Sequence, residues 1–186
     1  MSDAPDPPAA GLAEPVLIVD DEKNIRRTLR MILEGEGYPV HEAASIAEAE
    51  QVLAAHPVDV MLLDVKLGED NGLDLLRRIK TRSDDAVAAQ QSEIPVVMIS
   101  GHATIEDAVA STRLGAFDFM EKPLDRNRVM VTARNALERR KMWREVHDLR
   151  RAVDARWELL GGTPVMADLR RQIAKVAPTR SRILIT

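Results

Sequence analysis

Four apolar runs in this chain end beside a side chain that can do chemistry. Asp20 and Asp21 follow Val16-Leu17-Ile18-Val19, and Asp64 closes Val58-Asp59-Val60-Met61-Leu62-Leu63. Ser100 follows Pro95-Val96-Val97-Met98-Ile99, and Lys122 stands just past Ala116 to Met120. Runs this short and apolar suit strands buried on both faces of a parallel sheet. The residues past them then gather at the carboxyl edge of the sheet, where open α/β folds bind ligands. Carboxylates crowded there repel, and one pKa rises unless a cation holds them. Asp20, Asp21 and Asp64 offer only hard oxygen, which favours Mg²⁺, with Mn²⁺ the alternative, over zinc. Such a metal offsets negative charge on an incoming phosphoryl group. Lys122 adds a fixed positive charge, and Ser100 adds a hydroxyl that can donate to a phosphoryl oxygen. A carboxylate left free to attack, Asp64 on this reading, can form an acyl phosphate.

The segments between the runs must position this edge. Ile25, Leu29, Ile32 and Leu33 mark one face of a helix, stopped by Gly35 and Gly37. Val40 to Glu42 is a weak strand. Ser45 and Glu48 have capping-box spacing ahead of a helix carrying Ala49, Val52 and Leu53. Val65 to Gly72 reads as a turn, followed by a helix with Leu73, Leu76 and Ile79. Thr81 to Glu93 is polar, rich in Ala and Gln, and longer than the usual connection, so it extends the helix or forms a mobile loop. Thr104 to Leu114 is a helix with Ile105, Ala108 and Val109, stopped by Gly115. Five strands thus alternate with helices, which implies an α/β fold with a doubly wound parallel sheet and right-handed crossovers.

The 186 residues allow one full domain plus a fragment, or one domain with a long tail. The absence of cysteine excludes disulfides and thiolate metal sites and fits a cytoplasmic location. No apolar run approaches the roughly 20 residues that span a membrane, so no membrane partner is expected. Residues 1–14 are rich in Pro and Ala, lack a basic start, and read as a disordered tail rather than a secretory signal. Net charge is uneven, at −12 over residues 1–123 and +8 over residues 124–186. A basic half can contact nucleic acid. The commoner arrangement is a solvated, Arg-rich helix that attracts the acidic half.

Asp20-Asp21-Glu22, Asp64 with Gly72 eight residues on, Ser100-Gly101 and Lys122-Pro123 resemble, in this order, the receiver domain of two-component response regulators. The resemblance implies a flavodoxin-like sheet of order 2-1-3-4-5, an order that the general rules for open sheets exemplify with a receiver. It implies Asp64 as phosphoacceptor, with a sensor histidine kinase as donor. Mg²⁺ would be bound by Asp21, Asp64 and the backbone carbonyl of Lys66, with Asp20 acting mainly through water. Ser100 would sense the phosphoryl oxygen, Lys122 would pair with phosphorylated Asp64, and Phe119 matches an aromatic switch position. The Lys122-Pro123 bond would be cis. His102 would stand beside the site. The chain departs from the pattern at three places. Gly68 stands where the family usually has Pro, Phe119 lacks the hydroxyl of the commoner Tyr, and the Thr81–Glu93 segment is long.

From Leu124 no Pro or Gly interrupts the chain until Gly161, and Met142, Val146, Leu149 and Val153 follow coiled-coil spacing. A homodimer through the receiver and this helix is the expectation. Gly161-Gly162-Thr163-Pro164-Val165-Met166, Val176-Ala177-Pro178-Thr179 and a strand at Ile183-Leu184-Ile185 resemble the opening of the AAA+ domain of NtrC-type, sigma-54-dependent activators. Ser100 to Thr104 and Glu121 to Leu124 resemble that group too. The expected organisation is a tail over 1–14, a receiver core over 15–123 with its last helix from 124 to about 140, a linker over 141–160, and an AAA+ edge over 161–186. No G-x-x-x-x-G-K-[ST] occurs, so no ATP site and no enzyme activity are expected in this chain. Sigma-54 RNA polymerase and DNA would be reached only through other domains. Two rival readings are an interaction scaffold that is never phosphorylated and a Mg²⁺-dependent aspartyl phosphatase. The latter needs an acid two residues past the nucleophile, where Lys66 stands.

Overall fold

The computed structural model describes residues 14–81, 90–101, 104–156 and 163–176. The expectations on the terminal tail, His102 and the Ile183–Ile185 strand lie outside these residues. The chain divides into two compact units, residues 1–144 and 145–186.

In the first unit, β1 (Val16–Val19), β2 (Val40–Ala43), β3 (Val60–Asp64), β6 (Val96–Ser100) and β7 (Asp118–Glu121) form one parallel sheet in the order β2-β1-β3-β6-β7. Numbered among themselves, these strands run 2-1-3-4-5, as expected. The three inner strands are buried along their whole length. Their side chains alternate between two cores. Leu17, Val19, Met61, Leu63 and Met98 meet α2 (Ile46–Ala55) and α3 (Gly72–Thr81) through Ala49, Leu53, Leu75, Leu76 and Ile79. Val16, Ile18, Val60, Leu62, Val97 and Ile99 meet α1 (Lys23–Glu34) and α5 (Arg126–Arg156) through Leu29, Leu33, Val129, Ala133 and Leu137. Two-sided burial is why these strands are continuous apolar runs.

Local signals set the boundaries. The Ser45 Oγ accepts from the Glu48 N–H at 3.2 Å, and Glu48 Oε2 accepts from Ala44 N–H rather than from the cap itself. Thr104 caps α4 (Ile105–Arg113) by accepting from Asp107 N–H at 3.1 Å. The turn expected after Asp64 is instead a two-stranded ribbon, β4 (Lys66–Leu67) against β5 (Asp70–Asn71), with Gly68 at φ +61° in its bend. β7 begins at Asp118 rather than Ala116, and α5 begins at Arg126 rather than Leu124. Of the Thr81–Glu93 segment, expected to extend the helix or form a loop, residues 82–89 lie outside the described residues. In the second unit, α6 (Pro164–Val176) follows Thr163, whose Oγ1 accepts from Met166 N–H.

Candidate functional site

Parallel pairing brings the ends of β1, β3, β6 and β7 to one edge. Asp64 is the last residue of β3 and is 4% exposed. Its register partner is Ile99, so Ser100 lies one residue further along the neighbouring strand. Lys122 N–H donates to the Ser100 carbonyl at 2.8 Å, which ties the end of β7 to the end of β6. The Lys122-Pro123 peptide is cis.

The Lys122 ammonium is the centre of the site. Its Nζ lies 2.8 Å from Asp64 Oδ2, 2.9 Å from Asp20 Oδ2 and 2.9 Å from Glu22 Oε1. Burial acts to lower its pKa, but the three carboxylates outweigh that and hold it above its ordinary value. Burial raises the Asp20 pKa, and the opposing contacts from Lys122 and the Glu22 N–H do not cancel the rise. Asp20 Oδ2 is close to Lys122 yet has no hydrogen bond of proper geometry, so this buried oxygen keeps lone-pair capacity.

Asp21 is exposed, and its Oδ2 accepts from Gly68 N–H at 3.2 Å. Proline at 68 has no such donor. Lys66 N–H donates to Asp64 Oδ1 at 3.2 Å. The β4–β5 ribbon is thereby tied to both acids. Gly72 is required by packing: a Cβ there would stand 2.0 Å from the Asp64 carbonyl oxygen. Arg26 Nη1 donates to the carbonyls of Asp20 and Asp21 at 2.7 and 3.0 Å and braces the turn after β1.

The donor set suits a hard divalent cation. Carboxylate oxygens of Asp20, Asp21 and Asp64 lie within 4.8 Å of one another, all are oxygen, and Asp20 Oδ2 is buried without an aligned donor. The structure thus brings together Asp20, Asp21, Asp64 and Lys122, with Lys66 and Ser100 on adjoining backbone. Phe119 lies on β7, three residues before Lys122. It is half-buried on β7 against the core that holds Met98, and its carbonyl accepts from Arg128 Nη2 at 3.0 Å. Sequence reasoning missed Glu22 as a third partner of Lys122. The acid was visible beside Asp20-Asp21, but only the fold shows that it faces Lys122.

The family model for the response regulator receiver domain matches residues 16–134. The chain belongs to the response regulator receiver family. The nitrogen assimilation regulatory protein NtrX of Azorhizobium caulinodans is 39% identical over 94% of this chain and 37% of its own length. The C4-dicarboxylate transport transcriptional regulatory protein DctD of Rhizobium meliloti is 33% identical over 93% of this chain and 36% of its own length. These relatives are NtrC-type regulators, the group that the motifs resemble. A crystal structure of NtrX from Brucella abortus in complex with ADP matches with a TM-score of 0.65 at 41% identity, over 92% of this chain and 37% of that one. The receiver domain of the same protein matches with a TM-score of 0.59 at 39% identity, over 66% of this chain and 98% of that one. This receiver chain therefore spans little more than a third of the curated relatives it matches.

Proposed function

We propose that this receiver accepts a phosphoryl group on Asp64 from a sensor histidine kinase and so controls transcription. The observation that supports this best is the buried Asp64 carboxylate, 2.8 Å from Lys122 and clustered with Asp20 and Asp21. Asp20, Asp21, Asp64 and the Lys66 backbone carbonyl would hold Mg²⁺ or Mn²⁺, with Asp20 working mainly through water. When bound, the metal supplies positive charge that offsets the phosphoryl oxygens. An Asp64 oxygen attacks phosphorus while the P–N bond of the donor phosphohistidine breaks. The imidazole nitrogen keeps that electron pair and takes up a proton. Lys122 then pairs with the new phosphoryl charge, and the Ser100 hydroxyl donates to a phosphoryl oxygen.

The added charge biases a two-state equilibrium. Ser100 and Lys122 move inward, Phe119 repacks, and the surface of α4, β7 and α5 changes. Homodimer pairing through the receiver and α5 changes with it. Met142, Val146 and Leu149 are exposed on α5, as a paired helix requires. We assign 15–123 to the receiver core, 141–160 to the linker and 161–186 to the edge of an AAA+ domain. In regulators of the relatives' length, this switch would govern sigma-54-dependent transcription in the cytoplasm. Among the described residues, no helix is long and apolar enough to cross a membrane.

The test is intact mass after incubation with Mg²⁺ and acetyl phosphate, for wild type and Asp64→Asn. A phosphoryl adduct present in wild type and lost in the variant is expected. Phosphate release without a lasting adduct would favour the phosphatase reading. Neither adduct nor release would favour the scaffold.

A further inference from the structure

The opposite edge of the sheet holds a second charge cluster, unconnected with Asp64 chemistry. Asp59 immediately precedes β3 and is 1% exposed. Two arginines of α5 meet it. Arg144 Nη2 pairs with Oδ1, and Arg140 Nε lies 3.6 Å from the same oxygen. Arg140 is 3% exposed, donates from Nη1 to the Gln90 carbonyl at 3.1 Å, and lies over the Trp143 ring at 4.9 Å.

The apolar seam of α5 ends just before this cluster. Val129, Met130, Ala133, Ala136 and Leu137 are buried, whereas Met142 is exposed. Among the described residues, no apolar side chain of α5 beyond Leu137 is buried. The last stretch of helix that belongs to the first unit is therefore held by charge. Apolar packing is non-directional and tolerates small slides. A buried carboxylate shared by two guanidiniums does not, because a displaced partner leaves an uncompensated charge.

We propose that the Asp59–Arg140–Arg144 cluster is a latch that fixes how far α5 runs along the receiver before it leaves, independently of phosphoryl transfer. The latch can open. It borders a cavity of about 170 Å³ lined in part by His56, Pro57, Gln90 and both arginines. Neither Asp59 oxygen nor Arg140 Nε has a hydrogen bond of proper geometry. Burial also works against each charge, raising the Asp59 pKa and lowering that of Arg140.

Hydrogen exchange on the full chain tests this, comparing wild type, Asp59→Asn, Arg144→Gln and Arg144→Lys. Amides of residues 138–144 are expected to exchange roughly tenfold faster in Asp59→Asn and Arg144→Gln. Amides of 129–136 and of β3 should keep wild-type rates, and Arg144→Lys should restore most of the protection. Should Asp59→Asn fail to fold, the two variants at Arg144 carry the test alone. Unchanged rates at 138–144, or acceleration spread evenly over the receiver, would overturn the proposal.

Discussion

The two edges of the sheet carry charge in opposite proportion. At the carboxyl edge one ammonium, Lys122, faces the carboxylates of Asp20, Glu22 and Asp64. At the amino edge one carboxylate, Asp59, faces the guanidiniums of Arg140 and Arg144. The lysines show the contrast most clearly. Burial opposes the charge on both. Lys122 is nevertheless held above its ordinary pKa by its carboxylates. Lys80, at the amino edge, donates to the Ser92 and Ile94 carbonyls at 2.7 Å each. Burial pulls it down to about 8, with Arg139 and Arg140 adding to the fall and Glu93 opposing it. An edge with surplus carboxylate attracts cations and is built for a ligand. An edge with surplus guanidinium, already shared around one acid, is built to hold a helix.

The largest expected effect that sharpens this contrast is that of Lys122→Met. It leaves buried Asp20 and Asp64 facing each other without their cation. Urea unfolding at pH 7 without metal should show a loss of roughly 2–3 kcal/mol, below the usual cost of breaking a buried pair because the site opens to solvent at its rim. Next comes the metal. Mg²⁺ at a hundredfold excess over its dissociation constant should stabilise wild type by about 2.7 kcal/mol in thermal unfolding. Asp21→Asn should lose most of that gain, and Arg144→Gln should keep it. A gain that depends on Arg144 would break the division between the edges.

A smaller effect is expected when the whole amino-edge cluster is made apolar. Asp59→Leu, Arg140→Met and Arg144→Met together should leave stability unchanged or raise it by about 1–2 kcal/mol, because burial already opposes the charges of Asp59 and Arg140. The last contrast is in pH dependence. The folded value of Lys80, about 8, lies below the ordinary 10.5, so the native state gives up this proton first. Its contribution to stability therefore rises with pH from about 8 to 10.5 and disappears in Lys80→Met. The Lys122 contribution has the opposite sign. It is present below 10.5 and is lost only as pH climbs through its raised folded value. Titration of the lysine side-chain resonances by NMR would separate the two.

The carboxyl edge was legible in sequence because its groups follow strands, buried ones for Asp20, Asp64 and Ser100 and the edge strand β7 for Lys122. An apolar run states where the strand ends, and parallel order puts all the ends together. The amino edge was not legible. Asp59 sits inside an apolar run and looks like an interruption of it, while Arg140 and Arg144 sit in an arginine-rich helix that reads as solvated. Their meeting depends on where α5 crosses the sheet, which no local pattern records. The β4–β5 ribbon escaped for a related reason. Val65 to Gly72 has turn composition, and the ribbon shows itself only in the fold, where its strands pair and Asp21 and Asp64 accept from the Gly68 and Lys66 N–H groups. Phe119 was placed by resemblance, and its half-buried packing against the Met98 core is a feature that only the fold supplies.

The contrast between the edges comes down to two acids flanking one strand. On the proposed reading Asp64 takes the phosphoryl group, whereas Asp59 pairs with Arg140 and Arg144. The most direct measurement is peptide mapping by mass spectrometry after acetyl phosphate treatment and borohydride reduction, which converts an aspartyl phosphate to homoserine. The account predicts homoserine at residue 64 and unmodified Asp59. Homoserine at another acid, or none anywhere under conditions that phosphorylate a control receiver, would contradict it.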